Sequence, residues 1–169
     1  MTSTQAVAVG LTRAVLVVVY AGMWRGWRTR ARRHGDLPTL PAVPSQLGRV
    51  VLDPVEGVYV GTTVAGDWLD RVVVHGLGRR SPAQVEVAGA GVLVGRAPES
   101  DLFVPARALL DARLDRALGG RVVEPGGLVV VTWEHGGRRL DTGVRPRRAV
   151  DAARLRDAVA GLVRHGSAA

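Results

Sequence analysis

The chain contains no cysteine, no lysine, no isoleucine and no asparagine. Without cysteine there is no disulfide framework, no thiolate metal site and no cysteine nucleophile, and nothing in the sequence requires an oxidising compartment. Without lysine, all 23 basic residues are arginine. That usage matches the codon bias of a GC-rich genome, so arginine here is not a signal for bidentate phosphate recognition. Catalytic signatures are also missing. There is no Gly-x-Ser-x-Gly, and Ser3, Ser45, Ser81, Ser100 and Ser167 lie at the termini, in a proline-spaced stretch or beside turn residues, outside any nucleophile context. His34, His75, His135 and His165 have no metal-ligand spacing, and each adjoins a glycine, where a turn accounts for it. No catalytic residue, cofactor site or metal site is expected, and the chain is read as a non-enzyme.

The net charge of +8 matters less than its distribution. Six arginines precede the first acid, Asp36; residues 36–144 hold 11 arginines against 13 acids; from Arg145 onward six arginines face only Asp151 and Asp157. A nucleic-acid binder carries its cations on the folded body. Here the body is slightly acidic, so no nucleic-acid partner is expected.

The densest basic cluster adjoins an apolar run instead. Residues 6–24, AVAVGLTRAVLVVVYAGMW, reach about 28 Å as a helix, close to the hydrocarbon thickness of a bilayer. Arg13 falls inside this window, at a cost of roughly 2.5–3.5 kcal/mol near a helix centre unless it snorkels outward. A cleaved signal is the rival reading, but the run ends in Trp24-Arg25-Gly26-Trp27-Arg28 and offers no small-residue cut site. The expectation is a transmembrane helix over residues 5–24. Trp24, Arg25, Trp27, Arg28, Arg30, Arg32 and Arg33 then form its membrane-interface belt, and the positive-inside rule puts the N-terminus outside and the rest of the chain in the cytoplasm.

Residues 35–46, GDLPTLPAVPSQ, space Pro38, Pro41 and Pro44 three apart, so residues 25–46 read as a basic juxtamembrane segment and a polyproline-II spacer. From 47 onward the pattern has period two with frequent turns, the mark of antiparallel strands. Val58, Val60, Thr62 and Val64 are expected on one face, as are Val85 and Val87, with a turn over Ala88–Gly91. GLVVVTWEHGGRRLDTG reads as a hairpin about Gly136-Gly137. Glu134 then faces Arg139 as an ion pair, and Trp133 faces Leu140 as an apolar pair. ALLDARLDRALGG fits helix and strand; strand is favoured. Ala152, Leu155, Val159 and Leu162 recur at spacings of 3, 4 and 3 and predict an amphipathic helix over about 148–164, ended by Gly166.

Seven or eight strands followed by one helix is the element order of a pleckstrin-homology-like fold. An apolar run, WRGW, the proline-spaced stretch, EGVYVGTT, WLDRVVVHGLGRRS and GGLVVVTWEHGGRRLDTGVR together resemble the actinobacterial single-span membrane proteins with a bacterial PH-like domain. These are often labelled "transporter" or "export or membrane protein", and their genes tend to lie near those of pyrimidine synthesis. The resemblance implies a mainly β fold: a PH-like bent antiparallel barrel over 47–165 with one C-terminal α-helix, preceded by one transmembrane helix. It implies no defined biochemistry.

Two motifs invite enzymatic readings. Leu140-Asp141-Thr142-Gly143 matches the aspartic-protease signature, but that chemistry needs two carboxylates at close range, and in that family flap strands follow the motif, whereas 26 residues follow Gly143 here. A strand end with local turn chemistry is the plainer reading. Gly89-x-Gly91 with Gly95 lacks the following helix that a dinucleotide loop needs. The functional expectation is therefore a membrane-anchored adaptor or scaffold that docks a protein partner at the cytoplasmic face of the plasma membrane. The alternative is an anionic lipid-headgroup module using Arg79, Arg80, Arg138 and Arg145, and an accessory transporter subunit is a further one. Partner identity and oligomeric state stay open.

Overall fold

The longest strand organises the domain. In the computed structural model, which describes residues 12, 13, 15–24, 26 and 37–166, β1 runs for 15 residues, Val50–Val64. Its first part pairs antiparallel with β3 (Ser81–Ala88), from Val50 to Tyr59, and its second part pairs with β10 (Arg138–Pro146), from Gly57 to Val64. Register shifts at Val50/Leu52, Leu52/Val55 and Tyr59/Gly61 bend the strand, because each extra residue kinks the chain and adds twist. One strand thus serves two halves of a sheet that wraps around a core.

The other strands are β2 (Asp67–Arg71), β4 (Gly91–Arg96), β5 (Leu102–Pro105), β6 (Leu109–Asp115), β7 (Ala117–Leu118), β8 (Arg121–Val122) and β9 (Leu128–His135). The sheet order is β5-β4-β3-β1-β10-β9-β6, with β2 beside β1, and β7-β8 form a separate small hairpin. Single-turn 3-10 helices occupy Val74–Gly76 and Ala106–Ala108, and the C-terminal helix spans Ala149–Gly166. It buries Ala152, Leu155 and Val159 against the inner face of the sheet, with Leu162 partly covered. The predicted stripe is the stripe that packs.

Several expectations are met in register. Val85 and Val87 are buried while Gln84 is exposed, ALLDARLD contains a strand, and Gly136 and Gly137 adopt φ of 57° and 71°, the left-handed pair that a two-residue hairpin turn needs. Trp133 and Leu140 are paired and buried. Glu134 opposes Arg139 as expected, but they make no ion pair among the described residues.

Three expectations are corrected. Residues 37–46 are not a free spacer before a domain that begins at 47: Leu37 lies in the main core and Leu40 packs on it. The His75 and His135 Nε2 atoms each lie 3.1 Å from a carbonyl of this segment, Leu37 O and Pro38 O. A carbonyl can only accept, so both ring nitrogens donate. A second correction concerns β1, where Tyr59 rather than Val60 is the large inward side chain. Val60 lies on the opposite face in a smaller core with Leu118, Leu128 and Val130, because β7-β8 covers that face too. Third, Asp141-Thr142-Gly143 sits inside β10, not at a strand end. Apart from these corrections, among the described residues no helix is long and apolar enough to cross a membrane. Residues 12, 13, 15–24 and 26 are helical, and the rest of the expected span, residues 5–11 and Ala14, lies outside the described residues.

Candidate functional site

β9 and β10 form a hairpin whose closed end is Gly136-Gly137. At its open end, the chain arrives through the turn Glu124–Gly127 and leaves through Pro146 into the C-terminal helix. These ends, together with the middle of β1 and the start of β3, surround a half-open groove of about 630 Å³. That lies within the range of ligand-sized clefts, about 300–1,000 Å³. Val58, Pro82, Pro146 and Ala152 supply apolar lining, and Arg80, Arg145, Arg147, Glu56 and Glu124 supply charge.

Local chain geometry sets this arrangement. Gly57 lets β1 lie so close to β10 that a Cβ there would fall 2.5 Å from the Arg145 carbonyl oxygen. Arg145 and Arg147 are two apart and so project on the same side of an extended chain. The Arg147 N–H donates to Glu56 O at 2.8 Å, and its guanidinium meets the Glu56 carboxylate at 3.2 Å. Arg145 Nη2 donates to Glu124 Oε1 at 2.8 Å. The Glu124 carboxyl is held below its ordinary value, first by its own backbone N–H and then by Arg145. Arg80, also lining the groove and exposed, meets no carboxylate among the described residues. Beside the groove lies a smaller cleft of about 400 Å³. There Arg148, at 2.8 and 3.0 Å, and Arg154, at 3.3 Å, converge on Asp151 in the first turn of the helix and lower its carboxyl pKa.

A family model described as bacterial PH domain-like matches residues 37–160. The chain belongs to that family. The match begins at Leu37, the residue at which the chain docks into the core of the PH-like domain, and it ends within the C-terminal helix. No curated protein matches the chain. Family membership carries the PH-like fold.

The PH-like domain distributes the four arginines considered from sequence. Arg80 and Arg145 both line the groove. Arg79 turns away to Glu99 at 3.1 Å, and Arg138 sits at the closed end of the hairpin, seven residues along β10 from Arg145 and so about 23 Å away at strand rise. They do not form one mouth. Of the expected interface residues, Trp24 is helical and exposed, whereas Arg25, Trp27, Arg28, Arg30, Arg32 and Arg33 lie outside the described residues. Sequence reading missed Arg147, Glu56 and Glu124. The alternation Arg145-x-Arg147 was the available signal, while the two glutamates join only through strand pairing and a turn.

The tempting motifs have structural partners. Asp141 takes a hydrogen bond from Thr132 Oγ1 at 2.6 Å and an ion pair from Arg113 at 2.8 Å. Thr142 belongs to a buried hydroxyl chain, and Gly143 admits the Leu118 side chain. His165 Nδ1 meets Gly161 O at 2.7 Å, one helical turn back; His75 and His135 meet the adjacent carbonyls of Leu37 and Pro38, no group of histidines and acids that could hold a metal occurs among the described residues, and His34 lies outside them.

Proposed function

We propose that this chain is a membrane-anchored, non-enzymatic adaptor whose PH-like domain docks a protein partner at the cytoplasmic face of the plasma membrane. The observation that carries the docking reading is the groove at the open end of the β9-β10 hairpin. It combines apolar lining with charges of both signs, as protein interfaces do. Its two carboxylates are each engaged by an arginine, which suits recognition better than proton transfer. The chain joins the domain at the closed end, where Pro38 lies against Gly136, about 25 Å from the groove at strand rise. The anchor itself is supported by the apolar run 6–24 and the arginines that follow it.

The headgroup alternative is less favoured, because the four arginines it invoked are divided among three places. Two measurements test the proposal. Protease added to intact cells should spare the PH-like domain, and the full-length protein should float with membranes. A photo-crosslinking residue at Pro125 should capture a discrete protein in cells, while one at Arg107, away from the groove, should not. Digestion from outside, or identical crosslinking from both positions, would overturn it.

A further inference from the structure

We infer that the groove recognises an acidic peptide segment and that Glu124 occupies the place of its carboxylate when the partner is absent. This deepens the docking reading and rests on it. Three guanidinium groups, Arg80, Arg145 and Arg147, converge on one groove, and the first turn of the C-terminal helix adds its positive end through Ala149 and Ala152. Against them stand two carboxylates of different character. Glu56 is fixed in β1 and bound to Arg147 through both backbone and side chain. Glu124 lies on the turn Glu124–Gly127, where Gly126 adopts φ of 74°, and its side chain is 64% exposed although it is paired with Arg145.

An exposed ion pair of this kind contributes little, at most about fivefold in an equilibrium constant. A carboxylate brought by a peptide that also covers Val58 and Pro82 can therefore replace Glu124 at little cost, and Arg80 adds a second cation that no carboxylate occupies among the described residues. With Glu124 displaced, the groove presents three arginines against Glu56 alone. Its complement is an extended segment with carboxylates spaced to reach Arg80 and Arg145 and small or apolar residues between them.

The test uses the full-length protein in discs of zwitterionic phosphatidylcholine and fluorescent hexaglutamate and hexalysine peptides, read by anisotropy. Hexaglutamate should bind and hexalysine should not. Glu124→Ala, a change on an exposed turn that does not threaten folding, should tighten hexaglutamate binding about three- to fivefold by removing the internal competitor. Arg80→Glu and Arg145→Gln should weaken it about tenfold, and Arg139→Glu, an equal or larger charge change outside the groove, should alter it less than twofold. The inference is overturned if Glu124→Ala weakens binding or leaves it unchanged, or if Arg139→Glu weakens it as much as Arg80→Glu. It is also overturned if phosphatidylserine vesicles, but not hexaglutamate, engage the groove in an Arg145-dependent way. Failure here with continued site-specific crosslinking at Pro125 would leave the adaptor standing and remove only the acidic partner.

Discussion

Trp133 on β9 donates its indole N–H to the Thr142 hydroxyl on β10 at 2.9 Å. Thr142 Oγ1 lies 2.8 Å from Thr62 Oγ1, Thr62 lies 2.7 Å from the Tyr59 hydroxyl, and Tyr59 donates to Leu77 O at 2.8 Å. The ends fix the direction of the chain. An indole nitrogen can only donate and a carbonyl can only accept, so each hydroxyl accepts from the group before it and donates to the next in the direction from Trp133 to Leu77. Four side chains from three adjacent strands are tied in one buried line, with no polar atom in it left unpaired.

Breaking that line in its middle should be costly. Thr142→Val keeps the shape but leaves the Trp133 N–H without an acceptor and takes from the Thr62 oxygen the donor it accepts from, while the Thr62–Tyr59 bond remains. The expected loss is about 1–3 kcal/mol, read as a lower unfolding midpoint of the full-length protein. An unchanged midpoint would mean that the chain contributes nothing.

Tyr59 should also make stability depend on alkaline pH. Burial raises its pKa from 10 to about 12, partly opposed by the Thr62 hydrogen bond and by Arg96, whose guanidinium lies 4.7 Å from the ring centre. A folded-state pKa above the unfolded value stabilises the fold below pH 10, and that contribution fades as pH rises from 10 towards 12. The Tyr59 tyrosinate absorbance should then appear only as pH rises from 10 towards 12, and Tyr59→Phe should remove that late rise and flatten the fall in stability across that window. A Tyr59 transition at its ordinary value of 10 would contradict the burial argument.

Residues 37–40 should behave as part of the domain. Leu37 is 6% exposed and Val43 is 44% exposed. Leu37→Ala should cost about 2–3 kcal/mol through lost burial and the cavity left behind, and Val43→Ala almost nothing, as measured by denaturant unfolding. Equal effects would return this stretch to the status of a linker.

The two hairpin glycines separate docking from turn strain. Both have positive φ, but a Cβ on Gly136 would meet the Pro38 ring, whereas a Cβ on Gly137 would meet open space. Gly137→Ala should cost only the left-handed backbone penalty, about 1–2 kcal/mol. Gly136→Ala should in addition lift residues 37–40 from the hairpin, so that amide exchange in that segment rises in this variant alone. Matching exchange in the two variants would disprove the contact's role.

The sequence by itself determined the elements whose signal is local. The C-terminal helix, the strand at Gln84–Val87, the Gly136-Gly137 turn and the Trp133–Leu140 pairing follow from period, from turn chemistry and from a register counted outward from the turn. Other features belong to tertiary structure because their causes are distant in the chain. Leu37 is core because a hairpin about a hundred residues later receives it; Val60 changes sides because β7-β8 covers the outer face of a bulged strand; and the Asp-Thr-Gly triplet is explained by Arg113, Thr132 and Thr62. The groove is of the same kind. Arg80, Glu56, Glu124 and Arg145 acquire a shared environment only when β1 pairs with both β3 and β10, since periodicity tells which way a side chain points and only strand pairing decides what it meets there.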